Sequence, residues 1–237
     1  MPAEGAKDRH GSTTLPGEGG FFMADKRAVI FVNGILVEPE AVMRRLLPQD
    51  FLIAADGGLQ VMHTLGLQPR LLIGDLDSVS PAEVEAVRAA GGVLRSYPVE
   101  KDETDLELAL LAAAAGGFAV IWLVAALGGR LDQTLANINL LLLPELSGRQ
   151  VFLFDGREEV FLIRDVAEIH GQPGEVVSLL PLNGPAAGIT THGLQFPLRG
   201  ETLFPERSRG ISNRLRGSSA RVELESGVLL CIHTHAK

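Results

Sequence analysis

The sequence predicts an α/β fold: a domain with a parallel, Rossmann-like sheet over residues 23–150, then a smaller all-β sandwich domain over 151–237. Three observations predict it. Short β-branched apolar runs alternate with helical segments through brief connections rich in Gly and Asp. Those runs are apolar on both faces, as strands covered on both sides must be. Beyond Gln150 the helical period disappears, and short β-like runs with many glycines take over.

Taken in order, Ala28–Val32 reads as the first buried strand, closed by Asn33-Gly34, and Ala41–Leu47 as a short helix stopped by Pro48. Phe51–Ala55 is the second strand, ending in Asp56-Gly57-Gly58, and a helix over Leu59–Leu65 follows. Leu71–Ile73 is a strand that runs into Gly74-Asp75-Leu76-Asp77-Ser78. Pro81–Ala90 is a helix with proline in its first turn and Ser80 as N-cap. Val93–Tyr97 is a further strand. Thr104 and Glu107 have capping-box spacing, so a helix starts there, and its Leu/Ala body to Ala115 must be buried. Ala119–Ala125 is a strand, and Gly128-Gly129-Arg130-Leu131-Asp132 leads into a helix reaching about Leu143, with Leu135, Ile138 and Leu142 on its core face. In the second region Val151–Phe154 and Val160–Ile163 flank Asp155-Gly156 as a hairpin. Glu175–Leu180, Gly188–Thr191, Ala220–Leu224 and Val228–Ile232 are the other strand candidates.

Composition narrows the function. Of 237 residues, 21 are Lys or Arg and 29 Asp or Glu, a formal charge of −8. That is the wrong sign for nucleic-acid binding, and 5% aromatic residues offer few stacking platforms. No apolar run reaches the roughly 20 residues of a membrane helix. A single cysteine, Cys231, fits a reducing compartment, and the expected location is cytoplasmic. Residues 1–22 have no apolar core of a secretory signal and read as a disordered leader, with Met23 a candidate start.

In an open α/β sheet, ligands sit beyond the carboxyl ends of the strands. Asp56, Asp75 and Asp77 emerge at such ends, and Asp102 and Asp105 at a helix start. Neighbouring carboxylates repel unless a cation lies between them. Mg2+ suits them, since it takes oxygen ligands and bridges carboxylates to substrate phosphates. Gly128-Gly129 and the following helix start suit an anion, Arg130 adds a fork for phosphate oxygens, and Lys101 adds a point charge. Gln133 and Asn137 share one face of that helix and suit substrate contact. Each feature alone reads equally well as a surface turn, an ion pair or a solvated face. Neither a P-loop nor a G-x-G-x-x-G is present.

The ordered set Asp56-Gly57-Gly58, Gly74-Asp75-Leu76-Asp77-Ser78, Lys101-Asp102-x-Thr104-Asp105-x-Glu107 and Gly128-Gly129-Arg130-x-Asp132 resembles the thiamine pyrophosphokinase family, over roughly residues 28–235. Gly210-Ile211-Ser212-Asn213 is similar to a serine–asparagine element of that family. The resemblance implies a catalytic α/β domain, a thiamine-binding β-sandwich domain, and a homodimer with active sites between subunits. It implies ATP and thiamine as substrates and Mg2+ as cofactor. Asp75, Asp77 and Asp105 would hold the metal, with Asp56 and Asp102 close by. Lys101, Thr104, Gly128, Gly129, Arg130 and Asp132 would serve ATP and its phosphates. Gln133, Asn137, Ser212 and Asn213 would serve the substrate. Gln133 stands where many members have His, so no general-base role is placed there. Some members stack thiamine on a second-domain tryptophan. The only one here, Trp122, lies in a first-domain strand, which leaves Phe196 or Phe204 for that place.

Three rival readings remain at this point: a related diphosphokinase acting on a pterin-like alcohol, a D-x-D phosphatase, and a non-catalytic thiamine- or nucleotide-binding module. Cys231, His233 and His235 alternate along one strand face, opposite Val228, Leu230 and Ile232, and are expected to be exposed rather than metal-bound.

Overall fold

The computed structural model describes residues 27–236, so the leader assigned to 1–22 and the Met23 start lie outside the described residues. The first half alternates β1 (Arg27–Phe31), α1 (Pro39–Arg45), β2 (Phe51–Ala55), α2 (Gly58–Thr64), β3 (Leu71–Gly74), α3 (Pro81–Ala89), β4 (Val93–Ser96), α4 (Asp105–Ala115), β5 (Val120–Val124) and α5 (Leu131–Asn139). After two 3-10 turns the chain is all strand: β6 (Gln150–Phe154), β7 (Glu158–Ile163), β8 (Val166–His170), β9 (Val176–Pro181), β10 (Ala186–His192), β11 (Arg199–Leu203), β12 (Asn213–Arg214), β13 (Ser219–Glu223) and β14 (Leu229–Thr234).

One ten-stranded sheet runs in the order β12-β9-β14-β7-β6-β5-β1-β2-β3-β4, and a second holds β11-β10-β13-β8. Its β6 to β4 portion is parallel, and from β7 onward the pairing is antiparallel. The expected boundary at 150/151 is therefore no gap in the sheet. β6 closes the parallel ladder against β5 and opens the hairpin to β7.

Strand alternation distributes β1 between two cores. Ala28 and Ile30 pack beneath α4, while Val29 and Phe31 pack with Val42, Leu59 and Met62 of α1 and α2. α4 is buried along Leu106, Leu108, Ala109, Leu110 and Ala113, as its nearly charge-free body requires. A third core lies between the two sheets, joining Val177, Leu179, Leu229 and Cys231 to Ile169, Ile189, Leu203 and Val222. Trp122 is half-buried in β5, with the Arg27 guanidinium 4.2 Å above its ring.

Several expectations need correction. Leu135 does not face the core; it is 53% exposed. α5 instead turns Thr134, Asn137, Ile138 and Leu141 inward, at the 0, 3, 4, 7 spacing of another face, and tightens into a 3-10 turn at Leu140–Leu142. Cys231 and His233 are buried, not exposed, because β14 lies inside the sheet between β7 and β9 and is covered on both faces. β8, β11 and β12 escaped the sequence reading. β11 carries one large apolar residue, Leu203, among charged and polar ones, β12 is only two residues long, and the apolar run of β8 is interrupted by Glu168.

Candidate active site

Asp56 follows β2, and its own N–H donates to the Ile73 carbonyl at the end of β3 (2.8 Å), which fixes the two strand ends side by side. Asp56 has φ +40° and Leu76 φ +63°, left-handed backbone that non-glycine residues rarely adopt. Such strain gathers where a site dictates side-chain direction. The result is that one carboxylate oxygen each from Asp56, Asp75 and Asp77 lies within 4.8 Å of the others. Opposite oxygens of an octahedral Mg2+ are about 4 Å apart, so this spacing suits one small ion. Ser78 donates its hydroxyl to Asp56 Oδ2 at 2.5 Å, and the Asp77 N–H donates to Asp75 Oδ1 at 3.1 Å.

Asp105, the first residue of α4, joins from the side. Thr104 caps the helix by accepting the Glu107 N–H (3.2 Å). A Cβ on Gly74 would come within 2.9 Å of Asp56 Cβ and 3.1 Å of Asp105 Oδ1, so only glycine lets these acids converge over β3. Lys101 Nζ lies 3.1 Å from both Asp75 Oδ2 and Asp105 Oδ1. It thus bridges carboxylates rather than standing free as a phosphate contact. Asp102 is exposed and outside both the carboxylate cluster and the cleft beside it.

The electrostatics are those of crowded acids. The Asp77 N–H and the Lys101 ammonium hold Asp75 below the usual carboxylate range. Asp75's charge pushes Asp77 up, and burial pushes Asp105 up against the pull of Lys101. Burial works against the Lys101 charge, but hydrogen bonds to Asp75 and Asp105 raise its pKa overall. Asp56 Oδ1 is buried without a hydrogen-bond partner, and buried Asp105 Oδ1 has only the Lys101 ammonium beside it. An orphaned carboxylate oxygen among four converging acids is the donor set of a hard divalent cation, so Mg2+ fits.

A cleft of ≈ 410 Å³ opens beside the acids, reached by Asp56, Asp105, Gly128, Gly129, Gln133 and Asn137 among others. Its glycine loop is held from α5. Asn137 Nδ2 donates to the Ala126 carbonyl (2.8 Å), and Thr134 Oγ1 donates to the Gly128 carbonyl (3.2 Å). Asn137 therefore shapes the loop, whereas Gln133 is exposed on the cleft wall. Arg130 also lines the cleft, exposed and paired with Asp132. Asn33 and Gly34, not predicted as site residues, also line the cleft. The signal was available: Asn33-Gly34 ends β1 as Asp56-Gly57 ends β2. Gly34 packs so closely that a Cβ would lie 2.4 Å from the Ala125 carbonyl.

Ser212 and Asn213 lie elsewhere. Ser212 is exposed at φ +56°, and its N–H donates to Ser178 Oγ. Asn213 is buried and clamps Phe196, accepting its N–H (2.9 Å) and donating to its carbonyl (2.7 Å). Phe196 is 54% exposed and Phe204 44%. β12 is eight strand spacings from β3, roughly 38 Å at about 4.8 Å each.

Fold and site define the class: an α/β protein extended by an antiparallel second sheet, with an acidic centre and a glycine loop at the carboxyl edge suited to a polyphosphate. Residues 43–153 match the family model for the thiamin pyrophosphokinase catalytic domain, and residues 166–229 match that for the thiamin pyrophosphokinase vitamin B1 binding domain. The thiamine pyrophosphokinase of Bacillus subtilis strain 168 is 27% identical over 192 residues, 77% of this chain and 86% of that protein. The crystal structure of the Bacillus subtilis enzyme superposes with a TM-score of 0.79 at 23% identity, covering 90% of this chain and all of the other. An Enterococcus faecalis family protein gives 0.73 at 25% identity, covering 90% and 99%. The chain belongs to the thiamine pyrophosphokinase family.

Proposed function

We propose that the chain transfers the diphosphoryl group of ATP to the hydroxyl of thiamine, giving thiamine diphosphate and AMP. The observation that carries this is the joining of Asp56, Asp75, Asp77 and Asp105 beside the Gly128-Gly129 loop, in a chain that also carries the vitamin-binding half of the family. In the reaction the thiamine oxygen forms a bond to the β-phosphorus, the bond from the β-phosphorus to the α-bridging oxygen breaks, and AMP leaves. Phosphoryl transfers rely on positioning and charge neutralisation more than on covalent chemistry by the protein.

Asp56, Asp75 and Asp77, with Asp105 beside them, would hold Mg2+, which supplies positive charge to phosphate oxygens when bound. The backbone of Gly128 and Gly129, kept open by Asn137 and Thr134, receives phosphate oxygens of ATP. Asp56, which lines the cleft while Asp102 does not, is the acid placed to take the hydroxyl proton. Lys101 offsets the repulsion between Asp75 and Asp105 before substrate arrives.

The strand count between β12 and β3 supports an assembly in which two chains share each site. Ser212 and the Phe196 edge held by Asn213 are too distant to meet the acids of their own chain, so we assign them to the partner's cleft in a homodimer. We take residues 23–150 as the Rossmann-like catalytic half and 151–237 as the thiamine-binding sandwich, and place the protein in the cytoplasm, where ATP is at hand and Cys231 stays reduced. Among the described residues no helix is long and apolar enough to cross a membrane.

The test is direct: incubate the chain with ATP, thiamine and Mg2+ and assay AMP and thiamine diphosphate. Equal amounts of both are expected. Inorganic phosphate without AMP would indicate a phosphatase, ligand binding without turnover a binding module, and turnover with a pterin alcohol but not thiamine a different acceptor.

A further inference from the structure

A second group of convergent side chains lies in the antiparallel half, away from the acidic centre. Along β14 side chains alternate, so Cys231, His233 and His235 point to one face. Cys231 enters the apolar core between the sheets. His233, buried, and His235, just past the strand end, instead meet Glu175 from the turn before β9. His233 Nε2 is 2.8 Å and His235 Nδ1 3.6 Å from Glu175 Oε2, and one ligand atom from each of the three lies within 4.8 Å of the others.

We propose that Glu175, His233 and His235 form a binding site for a zinc-type divalent cation, which ties the end of β14 to the 171–175 turn. Tetrahedral ligands at about 2.0–2.1 Å from such an ion stand roughly 3.4 Å apart, and the two measured separations straddle that value. Two imidazoles and one carboxylate select a zinc-type ion over Mg2+, which prefers oxygen throughout.

The surroundings are built for these ligands. Glu175 is fixed by the N–H groups of Gln172 (3.0 Å) and Ala236 (2.8 Å). A Cβ on Gly171 would lie 2.1 Å from Glu175 Oε2 and 2.8 Å from His233 Cε1, so the turn is glycine where the ligands need room. Glu159 Oε2 stands 3.7 Å from His235 Nε2, the nitrogen left over when Nδ1 ligates, and Arg45 anchors that carboxylate. A carboxylate behind a ligating histidine is the usual support of such sites. His233 and Glu159 also line a separate cleft of ≈ 660 Å³. The competing arrangement is a closed polar network in which Arg45 Nη2, 3.1 Å from His235 Nε2, is the only cation.

Co2+ alone distinguishes the two. The full chain is stripped with a chelator and titrated with Co2+ while visible absorption is followed. The expected result is one equivalent giving the intense bands of low-coordinate Co2+, displaced by Zn2+ but not by excess Mg2+. The bands persist in Asp75→Asn, vanish in His235→Asn, and need about 10–100-fold more Co2+ in Glu159→Gln. Absence of those bands in the wild-type chain overturns the proposal without any variant. Bands unchanged in His235→Asn, with a circular dichroism spectrum matching the wild type, overturn it equally.

Discussion

Protons and metal ions compete for the same oxygens in the acidic centre, and the residues set the pH at which the proton wins. Asp77 and Asp105 titrate above the ordinary carboxylate range, the first because of Asp75's charge and the second because of burial. Cation binding requires both ionised. Mg2+ affinity should therefore fall as pH drops, beginning above the ordinary Asp value of about 3.9, with proton release on binding in that window. Calorimetric Mg2+ titrations in buffers of different ionisation enthalpy measure both. Asp75→Asn should lower AMP formation by at least about 100-fold with an unchanged circular dichroism spectrum; near-normal turnover would remove the acid from the mechanism. Gly74→Ala is the more searching change. Its φ of +150° and its contacts to Asp56 and Asp105 mean that one methyl group pushes two acids apart. Displacement on that scale should cost roughly 100-fold in kcat, read by single-turnover AMP release.

At the level of elements, α3 gives a clean test of how its start is held. Ser80 and Glu83 form a complete capping box, and the Ser80 hydroxyl and N–H draw the Glu83 pKa from 4.5 to about 2. Ser80→Ala should cost about 1 kcal/mol in urea unfolding. A depressed carboxylate stabilises the fold above its unfolded pKa and loses that contribution as pH falls through the folded one. The stability difference between wild type and Ser80→Ala should therefore shrink between pH 4.5 and about 2. The Ser80 cap and the proline after it were legible in the sequence, as were the strands whose residues are apolar on both sides, whereas the reciprocal bond from Glu83 was not predicted. What local pattern could not carry was direction. Leu135 and Ile138 look equivalent by period, yet the inward face of α5 is set by Asn137 reaching the Ala126 carbonyl, a contact eleven residues away. Cys231 and His233 read as exposed because alternation assumes one wet face, and β14 has none. Among the site residues, Asp56, Asp75 and Asp77 were legible as strand-end acids. Lys101's place between two carboxylates was not, since Asp75 is 26 positions away.

For the whole molecule, the testable consequence concerns number of chains. If Ser212 serves its partner's cleft, Asp75→Asn and Ser212→Arg chains are each inactive alone, yet mixed subunits regain activity. With random exchange in a two-fold dimer, about a quarter of sites carry both native contributions. Light scattering should show the dimer, and recovery of activity on mixing checks the sharing of sites. No recovery would confine each site to one chain.

The unbroken ladder through β5, β6 and β7 sets the mechanics of each subunit. Successive strands are stitched by backbone hydrogen bonds across the seam, and no loose linker joins the halves at β6. A hinge needs a few residues free to change their dihedrals, and here they are locked in register. One subunit can no more fold shut on its substrates than a plank can. Whatever seals the cleft during turnover must be a short loop or a neighbour's surface, and the pace of product escape is then governed by those parts rather than by swinging domains.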